Sequence, residues 1–398
     1  MEHGFRRRTA ICCALLVPSL ALAAAGCTGR TSTELRDASG LVSYNVSGDG
    51  VDPGETVRVT VRKEAGDRIT GVRATDGSGR PVEGELTGDG TAWRSTSALA
   101  SQARYTLRVT TVDASGARGA AVHEFRTARA GNLLDIALGP AEGLYGVGQP
   151  VTAQLSAPVE DRRARAVVER GLEVTSRPAA AQGSWHWVDD RTLHYRPRTY
   201  WPAHATVRVR AQLDGARVAG DLYAGPDPEL EFRTGARTEA VIDAASHTMK
   251  VVRDGKVLRT FPVTTGKPGF ETRNGVKVVL AQEPFVRMTG ASIGIPEGSP
   301  ESYDLPVEWA VRVTWSGEYV HAAPWSVAAQ GVANVSHGCT GMSTEDARWY
   351  FHETRPGDIV RVVNSGGGEM EPFGNGFGDW NLEWQQWLAG SALGGADA

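Results

Sequence analysis

Short runs of alternating apolar and polar residues, broken by turn signals, constrain this chain more than any other feature. Thr56-Val-Arg-Val-Thr-Val-Arg62 and Tyr105-Thr-Leu-Arg-Val109 alternate with the period of a strand, and Ala205-Thr-Val-Arg-Val209 repeats the pattern further on. Two segments close on the same four letters, Glu124-Phe-Arg-Thr127 and Glu231-Phe-Arg-Thr234, about 107 residues apart. Asp76-Gly77 and Asp89-Gly90 punctuate runs of Val, Thr and Arg, and helical periodicity is largely absent. A duplicated unit of about 100 residues built from short strands reads as two tandem immunoglobulin-like β-sandwiches, over 39–130 and 131–236.

A third unit is expected over 237–364. Met249-Lys-Val-Val252 and Val257-Leu-Arg-Thr-Phe-Pro-Val263 flank Asp254-Gly255, which is the sequence of a tight hairpin. Val276–Leu280, Trp309–Thr314 and Ile359–Val363 read as further strands. Between two of them lies Thr289–Ser302, rich in Gly, Ser and Pro, a long connection of the kind that covers functional sites. Ser343-Thr-Glu-Asp346 has the form of a capping box and predicts a short helix to about Glu353. In the remaining residues, 365–398, Trp380, Trp384 and Trp387 are spaced for one helical face. They predict a helical tail docked on the third unit, with a sugar-stacking platform as the alternative. The fold class is therefore mainly β, with one short helix and a Trp-rich C-terminal helical tail.

The N-terminus combines Arg6, Arg7 and Arg8 with an apolar run from about Ala10 to Ala25, which reads as an export signal over 1–26. Ala24-Ala25-Gly26-Cys27 resembles a bacterial lipobox, so Cys27 is the expected lipidation site and 27–38 a polar tether; simple cleavage is the alternative. The expected location is the outer face of the cytoplasmic membrane, with the protein lipid-anchored and reaching into the cell wall. The chain has four cysteines, and Cys12 and Cys13 fall inside the signal. Cys339 is then the one free thiol of an exported chain, an oxidation hazard that needs a reason. Net charge is −4, from 42 basic and 46 acidic residues without a basic stripe, which argues against a nucleic-acid partner.

Cys339 sits in Asn334-Val-Ser-His-Gly-Cys-Thr-Gly-Met-Ser343. A thiol is mostly protonated at neutral pH, and a nearby imidazole that takes the proton makes it a nucleophile for acyl transfer. His337, two residues before it, and His321, at the end of a predicted strand, are both candidates for that base, and spacing alone does not choose between them. Gly338 permits torsions that aim backbone N–H groups at one point, as an oxyanion requires. A buried structural cysteine is disfavoured by the polar, flexible surroundings. A zinc site from His321, His337 and Cys339 lacks any recognised ligand spacing. No metal or organic cofactor is expected.

His321-Ala-Ala-Pro-Trp-Ser-Val-Ala-Ala-Gln-Gly331 followed by Asn334-Val-Ser-His-Gly-Cys339 resembles the signature of the L,D-transpeptidases with a YkuD-type catalytic domain. The sandwiches and the Trp-rich tail resemble the lipoprotein branch of that family in actinobacteria. The resemblance implies Cys339 as nucleophile and His321 as general base, oriented by the carbonyl of Ala322. It implies backbone N–H groups of His337, Gly338 and Cys339 as the oxyanion hole. It makes Met288 and Tyr303 flap residues of the donor pocket, with Ser316, Gly317 and Trp325 on the other wall and Ser336 and Gly341 flanking the nucleophile. Gly341 is a departure, because the family commonly has Arg or Asn there.

The implied reaction is peptidoglycan cross-linking. Cys339 attacks the third residue of a tetrapeptide stem, expels D-Ala, and passes the acyl group to the side-chain amine of a second stem, giving a 3→3 link. Carbapenem β-lactams are implied as inhibitors. Hydrolysis by the same nucleophile, attachment of proteins to the wall, and a non-catalytic wall-binding lipoprotein are the alternatives.

Overall fold

The computed structural model describes residues 35–61 and 66–394. The signal, the lipidation site Cys27 and most of the tether lie outside the described residues.

The first sandwich packs a six-stranded sheet on a four-stranded one. Its long strands are Arg68–Asp76, Arg104–Val112 and Arg118–Thr127. Along Arg104–Val112, Tyr105, Leu107 and Val109 are buried while the residues between them face outward, so alternation in sequence becomes one buried face. Burying each such side chain stabilises by roughly 1.5–3 kcal/mol. The second sandwich has two four-stranded sheets and a small three-stranded one.

The repeated tetrapeptide does the same work twice. Phe125 and Phe232 are core residues of their sandwiches. Thr127 Oγ1 donates to Ala100 O (2.7 Å) and accepts from Ala103 N (2.9 Å). Thr234 Oγ1 donates to Pro202 O (2.7 Å) and accepts from Ala205 N (2.8 Å). Each threonine thus satisfies the buried backbone where the preceding strand begins.

One element departs from the expected all-strand sandwiches. Helix α1 (Arg162–Gly171) crosses the second one, capped by Asp161, whose carboxylate accepts from Arg163 N and Ala164 N. Ala, Arg and Glu dominate it, and these favour helix, but ten residues are too few to stand out beside the alternating strands.

The third unit is built on a five-stranded sheet in the order Lys256–Pro262, Thr248–Arg253, Thr238–Asp243, Ile359–Val363, Gly275–Val278. Asp254 (φ 48°) and Gly255 (φ 79°) form the tight turn of its first hairpin. A second sheet runs Ala281–Thr289, Asp304–Arg312, Tyr319–Ala322, Thr340–Met342. Thr289–Ser302 is the tip of the hairpin between its first two strands. The strand Ala281–Thr289 escaped the sequence reading, because Gln282, Glu283, Pro284 and Phe285 do not alternate. Helix α2 (Thr344–Glu353) starts at Ser343, whose hydroxyl accepts from Asp346 N. It buries Ala347, Tyr350 and Phe351 in the core that contains both sheets.

The tail corrects an expectation. Trp380 lies in a 3₁₀ turn and only Trp384 and Trp387 are in helix α3 (Trp384–Ala389), so the three do not share one helical face. They gather instead around Arg196 of the second sandwich, at 5.0, 5.4 and 4.5 Å from the guanidinium. Trp387 Nε1 donates to Ser184 O (2.9 Å) and Trp380 Nε1 to Gly148 O (2.8 Å). His194 Nδ1 meets Asp379 at 2.7 Å, and the buried Glu169 accepts from Ser391 Oγ and Ala392 N. Asn381 bonds both backbone groups of Val276 in the third unit. The tail therefore docks mainly on the second sandwich and ties it to the third unit. Residue spacing defines an apolar stripe but not its partner, and the partner here is the guanidinium of Arg196.

Candidate active site

Two paired strand segments of the second sheet set the site. Tyr319–Ala322 runs parallel to Thr340–Met342, with Val320 level with Thr340 and His321 level with Gly341. Residues two apart on a strand share a face, so His321 and Cys339 fall on the same side of this pair. Both line a cavity of about 270 Å³ together with Met288, Tyr303, Trp325, Ser336, His337 and Gly341. Ser316 is not part of this wall. Its N–H donates to Asn375 Oδ1 (2.7 Å), which turns it toward the C-terminal segment. Gly317 reaches the site through its carbonyl, and Gly338 through its backbone.

His321 is 5% exposed, and its Nδ1 lies 2.8 Å from Ala322 O. A carbonyl only accepts, so Nδ1 carries the proton and Nε2 keeps its lone pair. Burial holds the imidazole below its ordinary range, and the Ala322 bond only partly opposes this. Cys339 lines the same cavity. Its Sγ lies 3.4 Å from Gly317 O, the geometry of an S–H donor. Burial pushes the thiol up to about 12, the backbone of Tyr319 and the charge of Lys277 oppose that, and Glu318 adds to it. Burial thus disfavours the charged form of both groups.

The loop before the cysteine is held by its own backbone. Gly338 has φ 118°, which a residue with a Cβ adopts only under strain. Its N–H donates to Ser336 Oγ (3.1 Å), and that hydroxyl donates to Cys339 O (2.6 Å). Gly338 O accepts from Thr272 Oγ1 (2.8 Å). The N–H groups of His337 and Cys339 bond no other described residue. The Gly338 amide, one of three expected oxyanion donors, is already engaged; those of His337 and Cys339 remain for a developing charge.

His337 faces away from proton transfer. Its Nε2 is 2.7 Å from Glu301 on the flap, its ring stacks on Tyr303 at 4.9 Å, and Phe270 meets it edge-on at 4.8 Å. Glu301 also pairs with Lys267.

Comparison with known proteins bears on the family of the chain. The pattern of the L,D-transpeptidase catalytic domain (YkuD) matches residues 237–362, and that of a bacterial Ig domain matches 48–217, across both sandwiches. L,D-transpeptidase 2 of Mycobacterium tuberculosis is 34% identical over 85% of this chain and 82% of its own length. The chain belongs to the L,D-transpeptidases. L,D-transpeptidase 1 of the same species is 41% identical over 56% of this chain and 82% of its length. A solved structure of LD transpeptidase LdtMt1 in complex with imipenem superposes with TM-score 0.51 at 39% identity, covering 58% of this chain and all of that one. The protein is an enzyme of peptidoglycan cross-linking.

In this transpeptidase Gly341 has a structural cause. A Cβ there would come within 2.9 Å of Ala323 Cβ and 3.1 Å of Thr264 Cγ2. Thr264 exchanges both backbone hydrogen bonds with Gly341, and its hydroxyl donates to Ala333 O and accepts from Val335 N. Thr264 therefore occupies the space a family side chain would need. Sequence reasoning missed Thr264, Thr272 and Glu301. Nor did it single out Lys277 within the expected strand, where Lys277 is fully buried and Val276 is only partly so.

Proposed function

We propose that this transpeptidase works by two-step acyl transfer with Cys339 as nucleophile and His321 as general base. The observation that carries the reading is the His321 tautomer: Nδ1–H is committed to Ala322 O, which leaves Nε2 as the free acceptor on the face it shares with the thiol. Because burial disfavours the charged form of both groups, the proton leaves Sγ as the sulfur attacks the carbonyl of the donor stem. The His337 and Cys339 amides receive the oxyanion. Collapse expels the terminal D-Ala, whose amine takes the proton from the His321 imidazolium. The side-chain amine of a second stem then releases the thioester, forming the 3→3 link and restoring the thiol. Tyr303 and Met288 on the flap and Trp325 opposite line the donor pocket.

The same sulfur is the proposed target of carbapenems, in line with the imipenem complex of the related enzyme. Intact-mass spectrometry after carbapenem treatment, and product analysis with purified tetrapeptide donors, test this together. The expected result is one adduct and a cross-linked dimer for the wild type, and neither for Cys339→Ala. An adduct that survives the substitution would sink the assignment, and tripeptide without dimer would move the function to hydrolysis. For the N-terminus the proposal remains lipid attachment at Cys27, supported by the lipobox-like Ala24-Ala25-Gly26-Cys27. Detergent-phase partitioning that is unchanged in Cys27→Ser would remove it.

A further inference from the structure

Beneath the thiol lies a charged group that the reaction does not use. Lys277 is 0% exposed, in a strand at the edge of the five-stranded sheet. Its ammonium pairs with Glu318, which is itself 7% exposed. Arg273 completes the set, its guanidinium 3.0 Å and its backbone N–H 3.2 Å from Glu318 Oε1. Burying an ammonium and a carboxylate costs several kcal/mol per ion before pairing returns part of it. Two apolar residues would fill the same space without that cost, so the charges call for a reason.

Their placement supplies one. Glu318 follows Gly317, whose carbonyl accepts a hydrogen bond from the Cys339 thiol, and precedes Tyr319, whose backbone supports the sulfur. The Glu318 N–H is held by Thr314 Oγ1 (2.8 Å), so its side chain and backbone together immobilise the turn. The neighbouring stretch of chain also braces the peptide before the cysteine, because Thr272, next to Arg273, donates to Gly338 O. One segment, 272–277, thus grips both the carbonyl that holds the thiol and the peptide beside the oxyanion amides. We propose that Lys277 and Glu318, with Arg273, are positioning residues for the Cys339 thiol, fixing the Gly317 carbonyl against it and setting two opposed charges on it. This rests on Cys339 as nucleophile.

The two charges act with opposite sign. The Glu318 carboxylate disfavours the thiolate and the Lys277 ammonium favours it. The other titratable groups around the sulfur are His321 and Tyr319 on its partner strand, Tyr303 on the flap, and His337 with Glu301 and Lys267 beside it. None of these is altered in the variants below.

The test is the rate of Cys339 alkylation by iodoacetamide at fixed pH between about 7 and 9, read at that residue by peptide mass spectrometry on the full chain. Alkylation reports the thiolate fraction whether or not the enzyme turns over. Loss of the nucleophile assignment would instead appear as a missing carbapenem adduct, so the two failures are distinguishable. Lys277→Met leaves Glu318 charged and held by Arg273, and is expected to slow alkylation roughly tenfold. Lys277→Met/Glu318→Leu removes both charges together and is expected to return the rate toward wild type. Lys277→Arg is expected to keep it. If Lys277→Met does not fold, Lys277→Gln replaces it with the same expected direction. An unchanged rate in a folded single variant, or a double variant displaced as far as the single, would overturn the proposal, since mere loss of packing would grow with the second substitution.

Discussion

The floor and the flap of the catalytic cavity are made differently. On the floor, His321, Ala322, Thr340 and Met342 are each no more than 5% exposed, and the contacts that hold them are ladder bonds, Thr272 and the buried Lys277–Glu318 pair. On the flap, Ile295 is the only buried apolar residue between 291 and 303, and the ties to the rest of the enzyme are side-chain pairs at the surface. A group that must hand over a proton within hydrogen-bond reach has to be fixed by backbone and burial. A cover that admits a peptide stem has to open, and exposed ion pairs of low net worth allow that.

That contrast breaks most sharply at the floor. Replacing His321 by Gln keeps a donor near Ala322 O but removes the base, and single-turnover acylation by a tetrapeptide donor is expected to fall ~10²–10⁴-fold with little change in donor affinity. Because burial holds the imidazole below its ordinary range, the wild-type rate should stay level from pH 8 down through pH 6.5 and fall only below. A rate that halves at the ordinary imidazole pKa would contradict the buried neutral base.

Gly338→Ala is the next largest. Its φ of 118° makes any side chain strained, at about 1–3 kcal/mol. Thermal melting should record that loss, and the acylation rate should drop about tenfold or more as the oxyanion amides shift. An unchanged rate would mean that loop geometry is not limiting.

Glu301→Gln addresses the flap. It removes the charge shared by Lys267 and His337 while leaving the floor intact. Limited proteolysis should cut the 290–303 segment several-fold faster, with global melting nearly unchanged. Lys267 and His337 hold the Glu301 carboxyl below its usual value. A depressed carboxylate contributes stability that is present above its unfolded pKa and lost as pH falls through the folded value. The wild-type flap should therefore loosen only in acid, and Glu301→Gln should lack that transition. Smallest of all is Arg287→Ala, which cuts an exposed pair with Asp304 at the flap stem and should leave thermal melting nearly unchanged and move the acylation rate by less than about twofold.

Much of this was readable from local pattern. Alternation located the sandwich strands, and the repeated Glu-Phe-Arg-Thr marked two equivalent strand ends whose threonines make the same bonds. Asp254-Gly255 placed a tight turn, and Ser343 a helix start. The isolated Cys339 and the two histidines announced acyl-transfer chemistry, because few other settings make a polar, glycine-flanked thiol worth keeping. Helix α1 and the strand Ala281–Thr289 were not legible, since their own residues carry weak periodicity and long-range pairing stabilises them.

By itself, then, the sequence determined those properties that depend on a residue and its near neighbours: strand period, turn torsion, helix capping and the chemical type of the nucleophile. Only the tertiary structure decided which histidine presents a free nitrogen, that the Trp cluster seeks Arg196, that Thr264 fills the space above Gly341, and that Lys277 points inward to Glu318. The last three depend on distances between residues tens to hundreds of positions apart, where burial and pairing energies of several kcal/mol override any local preference, and even the His321–Ala322 bond is set by the burial that fixes the ring.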